Sequence, residues 1–216
     1  MLQNLQNSIF AVGKNTPGGV VLLGTSFGVN KNMFATAAHV VGVENKDLVL
    51  IINSMKTFNG YQEANNPEVQ TVPAAVVEYD PIKDIAILQA GAVNMSLAYQ
   101  LSGSDSASNG CRVYTLGFPH LDHGRMVLTA QHSRIGARII LNSQGINTKQ
   151  IILNSQARPG QSGAPVFLEG TDQVAGMILG SYAPTTVGGI SLGGIDPQTL
   201  HQTTHAISSE YIKDMI

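Results

Sequence analysis

Short runs of β-branched and apolar residues recur along nearly the whole chain, and most end at glycine, asparagine, aspartate, serine or proline. Examples are GGVVLLGTSFGV, LVLIIN, IAILQA, RVYTLGF, ARIILN and VAGMILG. Such runs favour strands, and their regular turn signals favour a barrel or sandwich over alternating strand–helix units. The last stretch, SSEYIKDMI, instead has a helical pattern with Ser208 or Ser209 as its cap. The sequence therefore predicts an all-β fold with a short C-terminal helix.

A segment of small polar residues, 94–110, divides the chain into two lobes of similar length. The 216 residues are 43% hydrophobic and 12% charged, which is a globular composition. We expect lobes at 1–95 and 111–207, a linker at 96–110 and the helix at 208–216. A glycine-rich stretch, 182–205, is predicted to be a long loop, and such loops are often functional.

Charge and cysteine content narrow the class of protein. The formal net charge is −2 and no run of lysine or arginine occurs, so neither a nucleic-acid nor a membrane partner is expected. Cys111 is the single cysteine, which excludes an intramolecular disulfide. The start MLQNLQNSIF does not resemble a signal peptide. We expect a cytoplasmic location, with a processed exported chain as the alternative.

Three polar residues stand in apolar or glycine-rich surroundings. His39 lies in TAAHVV, Asp84 in DPIKDIAIL and Ser162 in ARPGQSGAPVF. Taken singly, they are typical of a core histidine, a turn-capping aspartate and a glycine hairpin. A serine nucleophile, however, needs a base to take its proton, and that base needs a third group to orient it. The three residues are therefore candidates for one catalytic constellation.

TAAHVV, DIAIL and PGQSGAPV resemble the histidine, aspartate and serine motifs of the chymotrypsin-like (trypsin-like) serine proteases. Their order along the chain is also that of this family. GTSFGVNKNMFATAAHVV, YTLGFPHLDHGRMVLTAQHSRIGAR and HAISSEYIKDMI are most similar to the bacterial, disulfide-free high-temperature-requirement branch. The resemblance runs from about Gly19 to the C-terminus. It implies two six-stranded antiparallel β-barrels, the first carrying His39 and Asp84 and the second Ser162.

The resemblance also implies a function, a serine endopeptidase acting through an acyl-enzyme on a protein or peptide substrate. Ser162 is then the nucleophile, His39 the general base and Asp84 the residue that orients His39. The other implied site residues are the oxyanion-hole donors at Gly160 and Ser162, the pocket floor at Gln156 and Ala157, and the pocket wall at Leu179, Gly180 and Ser181. No cofactor and no metal are expected.

Gln161 departs from the animal enzymes of this family. Those enzymes have an aspartate before the serine, which pairs with an N-terminus freed by cleavage, and glutamine cannot form that ion pair. We therefore expect no activation by N-terminal cleavage and an oxyanion hole ordered by local loops or by a regulatory partner. Two alternatives to an active enzyme stay open. They are a catalytically silent binding module and the protease domain of a larger partner-activated effector.

The remaining histidines are weaker candidates. His120 and His123 flank Asp122, and this spacing makes a metal site conceivable. The sequence shows no further protein ligand that would complete such a site. We expect a surface loop there. His201 and His205 are predicted to be solvated loop histidines.

The predicted pocket floor has no aspartate to attract a basic side chain, so we expect cleavage after a small or medium apolar residue. A peptide-library cleavage profile measures this preference. A profile dominated by arginine or lysine before the scissile bond contradicts it.

Overall fold

The all-β prediction is confirmed by the computed structural model, which describes residues 5–43, 46–52, 55, 57–64, 68–182 and 203–216. Its first sheet has seven strands in the spatial order β5-β4-β1-β2-β3-β7-β6. They are β1 (Ile9–Thr16), β2 (Gly19–Asn30), β3 (Met33–Thr36), β4 (Leu48–Ile52), β5 (Gln70–Pro73), β6 (Ala75–Asp80) and β7 (Ile85–Gln89).

Ala74 closes this sheet into a barrel. β5 and β6 lie at opposite edges of the sheet, yet Ala74 alone separates them along the chain. The two edges must therefore meet, and β5 and β6 act as one strand bent at Ala74. The Ala74 N–H donates to Leu48 O at 2.9 Å, which continues the ladder through the bend.

The second sheet also has seven strands, in the order β12-β9-β10-β11-β14-β13-β8, and a β12–β13 pairing closes it. They are β8 (Gln100–Leu101), β9 (Arg112–Gly117), β10 (Thr129–Ser143), β11 (Ile146–Leu153), β12 (Pro165–Leu168), β13 (Gln173–Tyr182) and β14 (Thr203–Ser208). β8 is a two-residue parallel addition to β13. Six longer strands thus form this barrel, and the double-barrel architecture is confirmed.

Helix is scarce in the described part of the chain. One short helix, Ala38–Val41, carries His39, and a second, Glu210–Lys213, lies within the stretch predicted to be helical. Tyr211 on the second helix accepts a hydrogen bond from Lys149 N at 2.9 Å, which fixes this helix against β11. No helix in the described ranges is long and apolar enough to cross a membrane.

Tyr99, just before β8, lies between the barrels. Its ring packs edge-on against Phe167 of the second barrel at 5.3 Å between centroids, and its hydroxyl donates to Gly28 O of the first at 2.7 Å. Burial raises the pKa of the Tyr99 hydroxyl well above its ordinary value, so the group stays a neutral donor. The segment between the sheets therefore contacts both barrels.

Candidate active site

Asp84 holds His39 by both its ring and its backbone. The Asp84 Oδ2 atom lies 2.6 Å from His39 Nδ1, and Oδ1 accepts the His39 backbone N–H at 2.8 Å. The Asp84 carbonyl also accepts Ala38 N–H at 3.1 Å. These contacts fix the position of the imidazole and favour the tautomer with a proton on Nδ1. Nε2 makes no hydrogen bond with any described residue, and the histidine side chain is 51% exposed.

The turn that presents Asp84 is organised by Asp80. Asp80 Oδ1 accepts N–H bonds from Ile82 at 3.0 Å and Lys83 at 2.9 Å, and Oδ2 pairs with Lys83 Nζ at 2.6 Å. Burial raises the pKa of Asp80, but its bonds to Lys83 and Ile82 outweigh this and hold the pKa below its ordinary value. Asp84 itself has a φ of 56°, a conformation that needs such support in a residue with a Cβ.

Two glycines shape the turn that carries Ser162. Gly160 has a φ of 90° and Gly163 a φ of 88°. A Cβ at Gly160 would overlap Phe118 O, and a Cβ at Gly163 would overlap Thr25 O. Both positions therefore require glycine for conformation and for space.

Thr25, on β2 of the first barrel, binds this turn directly. Its N–H donates to Ser162 O at 2.9 Å, and its hydroxyl donates to Gly160 O at 2.7 Å. The same hydroxyl accepts Phe118 N–H at 3.1 Å, and Thr36 Oγ1 donates to Thr25 O at 2.7 Å. A buried residue of one barrel thus fixes the serine turn of the other.

Gly24 brings the histidine helix and the serine turn together. A Cβ on Gly24 would lie 2.8 Å from the Val40 side chain and 3.1 Å from Ser162 O. Val40 follows His39 in the same short helix, so the two predicted site segments meet across this glycine.

The backbone N–H groups of Gly160 and Ser162 donate to no acceptor in the part of the chain that the structure describes. Their directions are nevertheless fixed, because a trans peptide points its N–H opposite to the preceding carbonyl. Pro159 O accepts His120 N–H at 2.7 Å, and Gln161 O accepts Ala164 N–H at 3.0 Å. Two free and oriented donors are what an oxyanion hole requires.

The Ser162 hydroxyl makes no hydrogen bond to His39 in this structure. The Ser162 hydroxyl donates instead to Leu179 O at 2.9 Å. A rotation about χ1 moves Oγ off this carbonyl without moving the turn, because the backbone of Ser162 is held by Thr25.

Two of the predicted pocket residues, one from the wall and one from the floor, are in contact. Ser181 Oγ donates to Ala157 O at 3.2 Å, so the predicted wall and floor are in contact. Thr204 on β14, which the sequence did not single out, donates to Ser155 O at 2.5 Å and accepts Ala157 N–H at 2.7 Å. Gly180 has open space beside its Cα. The floor is thus fixed by a buried threonine.

The prediction of a solvated loop for His205 is wrong. His205 lies in β14, half-buried, and its Nδ1 donates to Gln150 Oε1 at 3.0 Å. Burial lowers the pKa of His205, which favours the neutral ring. Its neighbour Thr204 points toward the pocket floor, so alternation along the strand turns His205 away. His201 lies outside the described residues, as does most of the predicted loop at 182–205.

The HLDHG segment supports the serine turn. His120 has a φ of 62° and binds Pro159, and the fully buried Leu121 lies against Gly160. The rings of His120 and His123 are 6.4 Å apart. Among the described residues, no group of three or more His, Cys, Asp or Glu side chains is placed to hold a metal ion.

Sequence reasoning also missed Thr25 and Leu121. Both contact the serine turn from segments far along the chain, and a threonine inside a strand run has no local signal that sets it apart.

The chain belongs to the trypsin-like peptidase domain family, whose model matches residues 24–177. That range includes His39, Asp84 and Ser162. The resemblance to the chymotrypsin-like proteases is thereby confirmed, whereas its placement nearest the high-temperature-requirement branch stays a prediction. A sequence comparison with curated proteins finds no match.

Solved structures of known proteases share the fold, and two of them illustrate the likeness. The Rv3671c protease from M. tuberculosis, in its active form, is 20% identical with a TM-score of 0.67, over 97% of this chain and 79% of that chain. The MamO protease domain from Magnetospirillum magneticum, in its apo form, is 13% identical with a TM-score of 0.70, over 100% of this chain and 99% of that chain.

Asp80→Asn tests the turn that presents Asp84. The pKa of Asp80 is lower in the folded state than in the unfolded state, where it is about 4. The ionised carboxylate therefore stabilises the folded protein above that unfolded-state pKa. This stabilisation is lost as the pH falls through the folded-state pKa. We expect the variant to be about 1 kcal/mol less stable than the wild type at pH 7 in urea unfolding. The difference should close on acidification.

Asp172 is exposed, and Asp172→Asn is the matched control. It should leave the free energy of unfolding nearly unchanged both at pH 7 and after acidification. A deficit of Asp80→Asn that persists undiminished to pH ~3 contradicts the role given to the Asp80 charge.

Proposed function

We propose that this chain is a serine endopeptidase that uses His39, Asp84 and Ser162 as its triad. Ser162 Oγ attacks the scissile carbonyl, and His39 Nε2 takes the hydroxyl proton and later delivers it to the leaving amine. Asp84 keeps the Nδ1–H tautomer and stabilises the imidazolium. The product of the first step is an acyl-enzyme, which water then hydrolyses by the same route.

One observation carries the proposal: a carboxylate-held histidine lies beside a glycine-bounded serine turn in a peptidase family. The 2.6 Å contact between His39 and Asp84 leaves Nε2 free to act on a neighbour. The unengaged N–H groups of Gly160 and Ser162 supply donors for the oxyanion of the tetrahedral intermediate. Loss of one such donor typically lowers the rate about 10²- to 10³-fold.

The specificity pocket is proposed to accept a small or medium apolar side chain. The predicted pocket residues are all uncharged, namely Gln156, Ala157, Leu179, Gly180 and Ser181. The Thr204 hydroxyl donates to Ser155 O and accepts the Ala157 N–H, so it holds the floor backbone and adds no charge to the pocket. A regulatory partner and a cytoplasmic location remain part of the proposal.

The second candidate is a catalytically silent module that binds peptides or partner proteins. The observation in its favour is that the Ser162 hydroxyl donates to Leu179 O at 2.9 Å and not to His39. An active enzyme must release this bond when substrate binds, whereas a silent module need not.

A serine-reactive fluorophosphonate probe distinguishes the two functions. We expect the wild type to be labelled and Ser162→Ala to be unlabelled. His39→Ala should react at least about 100-fold more slowly, because the hydroxyl then lacks its base. Labelling is followed by intact-mass spectrometry.

Ser133→Ala, which alters a partly exposed serine on β10, is the control and should label like the wild type. Labelling of Ser162→Ala at the wild-type rate contradicts the assignment of the nucleophile. No labelling of any form favours the silent binding module.

A further inference from the structure

Gln161 is a buried glutamine immediately before the candidate nucleophile. Its side chain is 1% exposed, and Oε1 accepts the backbone N–H of Arg158 at 2.7 Å. The Gln161 backbone N–H donates in turn to Arg158 O at 3.0 Å. Both polar groups of the Arg158 backbone are therefore held by one residue, and the turn between them is closed.

Gln131 on β10 connects this side chain to the preceding part of the loop. Gln161 Nε2 donates to Gln131 Oε1 at 3.1 Å, and Gln131 Nε2 donates to Gln156 O at 3.2 Å. These hydrogen bonds form a relay that runs from Arg158 N–H through Gln161 and Gln131 to Gln156 O. Its direction is fixed by the backbone groups at its two ends, because Arg158 N–H can only donate and Gln156 O can only accept. The two amides then have one consistent orientation.

The relay grips the serine turn from both sides. Gln131 is anchored in the ladder of β10, opposite Thr115 of β9. From this strand it binds Gln156, before the turn, and Gln161, at its end. The Gly160 N–H lies between these points, and its direction depends on the orientation of the Pro159–Gly160 peptide.

We infer that Gln131 and Gln161 are positioning residues that hold the turn with the N–H groups of Gly160 and Ser162 free for an oxyanion. This inference rests on the proposed function, since the oxyanion hole is part of that mechanism. The relay is uncharged and is contained within one barrel. It orders the turn with neither an ion pair nor a new N-terminus.

Gln131→Met tests the relay, because methionine keeps the length of the side chain and removes both amide contacts. We expect kcat on a fluorogenic peptide to fall about 10- to 100-fold, somewhat less than the loss of a whole oxyanion donor. KM should change less than kcat, because the variant loses a bond to Gln156 of the predicted floor but keeps Ala157 bound to Thr204 and Ser181. Backbone amide exchange in peptides covering 156–163 should become faster.

Gln150→Met is the matched control. Gln150 is a glutamine on β11 of the same barrel, 5% exposed, and it binds His205 and not the serine turn. We expect its kcat and the exchange of 156–163 to match the wild type. An equal loss of kcat in Gln150→Met would overturn the inference, because the effect would then be general to buried amides.

Gln161→Met and the double variant test whether the two glutamines act as one unit. The double variant should be no more than about threefold slower than the slower single variant, because each single change already breaks the relay. If the losses of kcat in the two single variants instead multiply in the double variant, the two glutamines act separately and the pairing is overturned. Should Gln131→Met unfold, Gln131→Asn replaces it, since its shorter side chain cannot span both partners.

Amide exchange separates failure of this inference from failure of the proposed function. Unchanged exchange of 156–163 in folded Gln131→Met overturns the positioning role, whatever the activity. A wild type that neither cleaves peptides nor reacts with the fluorophosphonate overturns the proposed function, and exchange still decides whether the relay orders the turn.

Discussion

The contact between Thr25 and the serine turn is the constraint on which the arrangement of the site depends. Thr25 belongs to the barrel that carries His39 and Asp84, and it binds the carbonyls of Gly160 and Ser162 in the other barrel. Thr25 is fully buried, so breaking one of these hydrogen bonds leaves a buried group unsatisfied and typically costs about 1–3 kcal/mol. Gly163 permits the contact, because any larger residue would overlap Thr25 O.

The fold was predictable because its signals are local. Strand runs, turn residues and the histidine, aspartate and serine motifs stand in contiguous letters, and the predicted contact between His39 and Asp84 is present in the structure. The supports of the site are not local. Thr25, Leu121 and Gln131 act through tertiary contacts, and nothing in the neighbouring letters distinguishes them from ordinary strand or loop residues. The pattern likewise missed that His205 belongs to a strand.

Gln161 shows how one departure from a family pattern changes the physical device at a site. An aspartate at this position orders the turn through a charge partner, whereas the glutamine here uses an amide that donates and accepts at once. An amide can be turned either way round, and the two contacts of Gln131 fix which end of each amide faces which neighbour. The remaining adjustable part is the Ser162 side chain, which rests on Leu179 O.

A crystal structure of the chain with a peptide boronate tests the central claim most directly. We predict a bond between boron and Ser162 Oγ, with one boronate oxygen within about 3 Å of the N–H groups of Gly160 and Ser162. Oγ should have left Leu179 O, while the bonds from Thr25 to the turn stay intact. Boron bonded to another residue, or an oxygen directed away from these two N–H groups, would contradict the mechanism.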